Sequence, residues 1–157
     1  MGNSKEIVND CVLGYGKIVA VCLSEKKHVA KTMVEKVFVQ EGWGIVGDAH
    51  AGPGHRQISF LSSEAISDMQ KKANNISFGI FGENIVYNSI PFEVIKPGCL
   101  ITVGDVQIKV TQIGKECPTP CSIFHSVGFC IMPEQGIFGV VIRSGEIIAG
   151  DCVVITC

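Results

Sequence analysis

At 157 residues, with 46% hydrophobic and 18% charged side chains, the chain is long enough to bury a core and too apolar to be disordered. The net charge of -2, and a basic set that is lysine apart from Arg56 and Arg143, leave little to grip a phosphate backbone, so nucleic acid is excluded as a partner. No apolar run approaches the ~20 residues that span a bilayer, so a membrane is excluded too, and one domain over residues 1–157 is expected.

In chain order, the polar Met1 to Glu6 leads into no apolar segment, so no secretory signal is expected and the expected compartment is the cytoplasm. Met1-Gly2 opens like a myristoylation signal, but Glu6 stands where Ser or Thr is required. Short runs rich in Val, Ile and Phe then predict strands over Lys17–Leu23, Val34–Val39, Gln57–Leu61, Leu100–Val103, Val106–Thr111, Ile137–Ile142 and Val153–Thr156. Gly104-Asp105 and Ser144-Gly145 suit tight reversals between neighbouring strands. One helix is predicted over Glu64–Lys72, capped by Ser62 or Ser63, with Ala65, Ile66 and Met69 on one face. Many short strands and 18 glycines point to a mainly β fold, a closed or partly closed barrel with few helices. Gly42 to Arg56 and Ile113 to Gly136 exceed hairpin length, and loops of that size tend to carry function.

The first long loop brings His50, His55 and Arg56 among glycines, a donor set suited to a phosphate or another anion. It lacks the Gly-Lys-Ser/Thr ending of a Walker loop. In Phe81-Gly82-Glu83-Asn84, Asn84 could bond a heterocycle or close an Asx turn. The second long loop carries Gly114-Lys115-Glu116-Cys117-Pro118-Thr119-Pro120-Cys121, where two prolines enforce a stiff, extended presentation of the thiols. Cys117, Cys121, His125 and Cys130 have spacing that permits tetrahedral zinc, and Cys117 and Cys121 could instead pair as a disulfide. With eight cysteines in a reducing compartment, Cys11, Cys22, Cys99, Cys152 and Cys157 read as structural or incidental.

Five motifs together resemble the MOSC domain: Gly47–Gly52 with His55-Arg56-Gln57, Phe81–Ile85, Gly114 through Cys121, Met132–Phe138, and Gly145-Glu146 with Gly150-Asp151. They hold register from about Gly14 to Val154 and look most like the small stand-alone bacterial members. The resemblance implies a MOSC-type β-barrel with a few short helices and an association with the molybdenum cofactor (molybdopterin). It implies that Cys121 carries sulfur as a persulfide or ligates molybdenum, with Cys117 as a second thiol. His50, His55, Arg56, Glu83, Asn84 and Lys115 become the cofactor-binding candidates, with His55 and Arg56 toward the phosphate end. A thiolate is the form that takes up sulfur or binds a soft metal, and Lys115, His125 or Arg56 would favour it. A sulfur donor such as a cysteine desulfurase is then an implied partner. Pyridoxal phosphate is linked to the family through a separate amino-terminal domain that these 157 residues do not contain. Besides cofactor sulfuration or maturation, a non-enzymatic molybdopterin carrier, a molybdenum-dependent reductase of N-hydroxylated compounds and a structural zinc protein remain as alternatives.

Overall fold

A computed structural model describes residues 11–116 and 130–157. Cys117, Cys121 and His125, and with them most of the zinc set and the Cys117–Cys121 pairing, lie outside the described residues. The architecture is mainly β. Its long first strand, β1 (Val12–Leu23), is followed by β2 (Thr32–Val34), β3 (Lys36–Gln40), β4 (Gly44–Ile45) and β5 (Ile58–Ser62). After helix α1 (Ser63–Gln70) come β6 (Ile85–Tyr87), β7 (Leu100–Val103) and β8 (Val106–Ile113). The described chain ends with α2 (Met132–Gln135), β9 (Ile137–Arg143), β10 (Gly145–Ile148) and β11 (Cys152–Thr156).

Seven strands close into a barrel in the order β11-β7-β8-β9-β5-β6-β1, because β1 pairs back onto β11. Closure satisfies backbone groups that an open sheet would leave at its edges. β2 extends the sheet beyond β1, while β10, β3 and β4 form a separate three-stranded sheet. β5 and β6 are parallel, with Phe60 opposite Ile85, so the chain between them must cross over, and α1 lies on that connection.

The alternation of side chains on β5 and β6 feeds two cores. Ile58, Phe60, Ile85 and Tyr87 join the interior cluster, whereas Leu61 and Val86 join an outer cluster with Ile66 of α1 and Met132 of α2. This is why β5 is buried along its whole length. On β1 a register irregularity between Ile18 and Ala20 lets Ile18 and Val21, three residues apart, both reach the interior. α1 starts at Ser62, whose Oγ accepts from the Ala65 amide at 3.0 Å.

Several local expectations are corrected. The first strand begins five residues earlier than its apolar stretch, because Val12 to Lys17 pair with β11. The Val34–Val39 run divides at Glu35: Val34 pairs with Val21 of β1, while Val37 and Val39 belong to the smaller sheet. Ser144-Gly145 does not join a hairpin, since β9 stays in the barrel and β10 leaves it to pair with β3. Gly104-Asp105 does reverse the chain, with Val103 opposite Val106.

Cys99 and Cys157 form a disulfide. The antiparallel register of β11 on β7 sets Thr156 opposite Leu100, which makes Cys157 and Cys99 the next facing pair, 4.4 Å apart at Cα. A separation of 58 residues hides this pairing from local sequence.

Candidate functional site

A cavity of about 910 Å³ opens where the loop after β4 meets the start of β5, the turn before β6 and the chain on either side of residues 117–129. Its foundation is a buried ion pair. Lys31 Nζ lies 2.7 Å from Asp48 Oδ1, and neither side chain is accessible to solvent. Asp48 also accepts the Ser24 amide on Oδ1 and the His50 amide on Oδ2, both at 3.1 Å. Burial pushes the Asp48 carboxyl up, but the Lys31 bond and charge, with the two amides, outweigh it and hold the group below the usual carboxylate range. Burial likewise draws Lys31 below the usual lysine range against the opposing pull of Asp48.

Gly79 seats this pair. Its φ is +92° and a Cβ there would fall 2.2 Å from the Lys31 carbonyl oxygen, while its own carbonyl accepts the Lys31 amide at 2.8 Å. The turn before β6 and the strap carrying Lys31 are thereby fastened together.

His50 lines the cavity with its Nδ1 turned inward, 2.9 Å from Lys31 Nζ. Burial first, then the charges of Lys31, Lys115 and Lys27 against that of Asp48, lower its pKa to about 4. The ring is neutral at physiological pH. His55 contacts Gln112 Oε1 through Nε2 at 2.8 Å, and its carbonyl accepts from the Thr111 hydroxyl, which ties the loop to β8. Arg56 is exposed and lies over the Phe138 ring, 5.9 Å from its centroid, so its guanidinium is stacked at the cavity wall. Lys27 and Lys115 also line the cavity, and Glu116 is the one carboxylate among its described lining residues. The floor is apolar, supplied by Ile58, Phe81, Met132 and Phe138.

Glu83 and Asn84 sit differently. Asn84 is buried at the cavity's base with both ends of its amide engaged: Oδ1 accepts from the amide and hydroxyl of Ser59, and Nδ2 donates to the Cys22 carbonyl. It fastens β6 to β5 and β1. Glu83 is fully buried; Oε1 accepts the Phe81 amide at 3.0 Å, while Oε2 has no hydrogen-bond partner among the described residues. Burial raises its pKa to about 7 against nearby amides and the Lys31 charge. Cys22 is buried as well, and desolvation followed by the Glu83 charge pushes its thiol up to about 12, which makes it unreactive.

The sequence profile of the MOSC domain family matches residues 46–154. The chain belongs to the MOSC domain family. This family is linked to the molybdenum cofactor. Among solved structures, the fold is similar to YuaD from Bacillus subtilis, with a TM-score of 0.76 at 19% identity over 90% of this chain and 96% of that one. YiiM from Escherichia coli gives a TM-score of 0.66 at 14% identity, covering 91% and 70% of the respective chains. YiiM from Geobacillus stearothermophilus gives 0.66 at 20%, covering 89% and 74%. Among curated proteins no sequence match is found.

Within this MOSC domain, the structure brings His50, His55, Arg56, Asn84 and Lys115 to one cavity and sets Glu83 in the same turn as its lining residues Phe81 and Gly82. Lys31 is absent from the sequence-derived candidates, and Asp48 stood inside a motif without a role. Arg143 is exposed at the end of β9, opposite Gln107. Of the zinc set only Cys130 is described, half-buried, and no three ligand-type side chains converge among the described residues. No helix among the described residues is long and apolar enough to cross a membrane.

Proposed function

We propose that this MOSC domain binds a molybdopterin-type cofactor in the cavity and that the Cys121 thiol carries sulfur for it or ligates its molybdenum, with Cys117 as the second thiol. The observation that supports this reading most is the lining itself. Among the described residues, Lys27, Arg56 and Lys115 join a single carboxylate over a floor of Phe81, Phe138 and Met132, which suits a flat heterocycle with an anionic tail. The residues present therefore fit the group. Arg56 would hold the phosphate, with its guanidinium already ordered on Phe138, and Lys115 and Lys27 would add charge. Lys115 and Glu116, which precede the two thiols in the chain, and Met132, which follows them, line the same cavity. The bound group would supply a soft metal and a dithiolene for sulfur chemistry. A cytoplasmic setting and a cysteine desulfurase as sulfur donor belong to the same reading.

Protein purified anaerobically from a host that makes the cofactor should contain pterin and molybdenum. Incubation with a cysteine desulfurase and cysteine should add the mass of one sulfur, and Cys121→Ala should abolish that gain. Arg56→Ala should weaken pterin retention about tenfold, the loss of one charge-assisted phosphate contact. Absence of pterin together with an unmodified thiol sinks the proposal. Pterin retained undiminished in Cys121→Ser, with no persulfide in the parent protein, would instead make the domain a carrier.

A further inference from the structure

Lys31 lies under the cavity without lining it, and its hydrogen bonds decide the state of a residue that does. An ammonium has three protons to donate and no lone pair to accept with. Three partners surround Nζ: Asp48 Oδ1 at 2.7 Å, His50 Nδ1 at 2.9 Å and Ser24 Oγ at 3.2 Å. Ser24 directs its own hydroxyl proton to the Lys26 carbonyl at 2.9 Å, so toward Lys31 it presents a lone pair. A carboxylate is an acceptor outright. The third proton then falls on His50 Nδ1, which must be bare to receive it.

We infer that Lys31 is a positioning residue that fixes His50 as the neutral tautomer with its proton on Nε2, a permanent hydrogen-bond donor on the cavity side awaiting an oxyanion or carbonyl acceptor. The inference rests on the reading of this cavity as an anionic-cofactor site only for the identity of that acceptor. His50 Nδ1 is 3.9 Å from Asp48 Oδ2, beyond hydrogen-bond range, so Asp48 does not take a ring proton at that nitrogen while Lys31 stands between them. Among the described residues, the charges acting on the ring are Lys31 and Asp48 beneath it, Lys115 from the chain just after β8 and Lys27 from the loop after β1, and Glu116 lines the same cavity. Burial first, then the charges of Lys31, Lys115 and Lys27 over that of Asp48, disfavour imidazolium, so the donor persists across the pH range in which free histidine titrates. A ligand atom that meets Nε2 must therefore accept; a group with protons to donate and no lone pair, such as an ammonium, is turned away there. This would favour the anionic or carbonyl edge of a ligand over its amino edge.

The experiment is long-range 1H–15N correlation spectroscopy of the imidazole rings in 15N-labelled, ligand-free protein from pH 8 to pH 5, with the His50 signals assigned by their loss in His50→Gln. The expected pattern has a protonated Nε2 and an unprotonated Nδ1 throughout. In Lys31→Met the same signals should titrate at least about one pH unit higher, as imidazolium gains Asp48 as its partner. A proton on Nδ1, or imidazolium at pH 6.5 in the unaltered protein, overturns the inference. Should Lys31→Met fail to fold, the double variant Lys31→Met/Asp48→Asn removes both charges, and the Nε2 preference should then give way to a mixture of tautomers. Because the measurement uses ligand-free protein, its failure leaves the cofactor reading standing, and a negative pterin analysis leaves the tautomer result standing.

Discussion

Lys31 and Glu83 are both buried, yet the protein treats their charges in opposite ways. Lys31 has an acceptor for each of its three protons, one of them a carboxylate. Glu83 has the Phe81 amide on one oxygen and no partner among the described residues on the other. Full satisfaction locks a charge in place; partial satisfaction leaves it free to be neutralised. The first group is thus a fixed part of the scaffold beneath the cavity, and the second is a carboxyl that exchanges its proton near neutrality.

The largest effect should come from breaking the satisfied pair. Lys31→Met leaves Asp48 ionised, buried and without its cation, and should lower stability by about 3–5 kcal/mol at pH 8, read from urea unfolding midpoints. The deficit should shrink at pH 5, where His50 can protonate and take the place of the ammonium. A loss below about 1 kcal/mol at pH 8 would mean that Asp48 finds another partner and that the two clusters are less different than their geometry shows.

Glu83→Gln should act with the opposite sign. The folded pKa of about 7 lies above the 4.5 of an unfolded glutamate, so the protonated group's contribution is intact below pH 4.5 and is lost as pH rises through 7. Above that window the wild-type protein carries a penalty of about 3 kcal/mol that a neutral amide avoids. The variant should therefore be the more stable at pH 8 and equal to wild type near pH 4.5. It should also expose the opposite trend of His50, whose folded pKa of about 4 makes stability fall as pH drops from 6.5 toward 4. In the wild-type protein these two slopes oppose each other between pH 4.5 and 6.5; in Glu83→Gln only the acid-side loss remains.

The contrast between the clusters also marks where the amino-acid sequence stops being legible. Val- and Ile-rich runs announce most barrel strands because β-branched residues with a buried face leave a local signature. Which sheet a strand joins does not: nothing local distinguishes Val34, on β1, from Val37, in the smaller sheet. The His50, His55 and Arg56 loop could be read because glycines and donors cluster within ten residues. Lys31 could not, since in Lys26-Lys27-His28-Val29-Ala30-Lys31 it resembles its solvated neighbours, and only the fold carries it to Asp48. Glu83 and Asn84 stood out as polar residues before a strand, but their burial is a tertiary fact. It turns Asn84 into a brace between strands and Glu83 into a carboxyl with an altered proton affinity.

The smallest test lies at the exposed end of the satisfied cluster. His50→Ala removes one of the three acceptors on Lys31 but leaves its ion pair with Asp48, and the ring it deletes is already partly open to solvent. Water entering from the cavity can accept the freed proton, so the cost should be only about 1 kcal/mol at pH 8. The pH dependence should change more than the magnitude: the stability lost between pH 6.5 and 4 should be absent, because the group responsible for it is gone. Urea midpoints at pH 8 and pH 5 decide the matter. An equal loss at both values would show that His50 supports the cluster by packing alone, whereas a deficit that narrows toward pH 5 identifies the neutral ring as the acceptor that Lys31 requires.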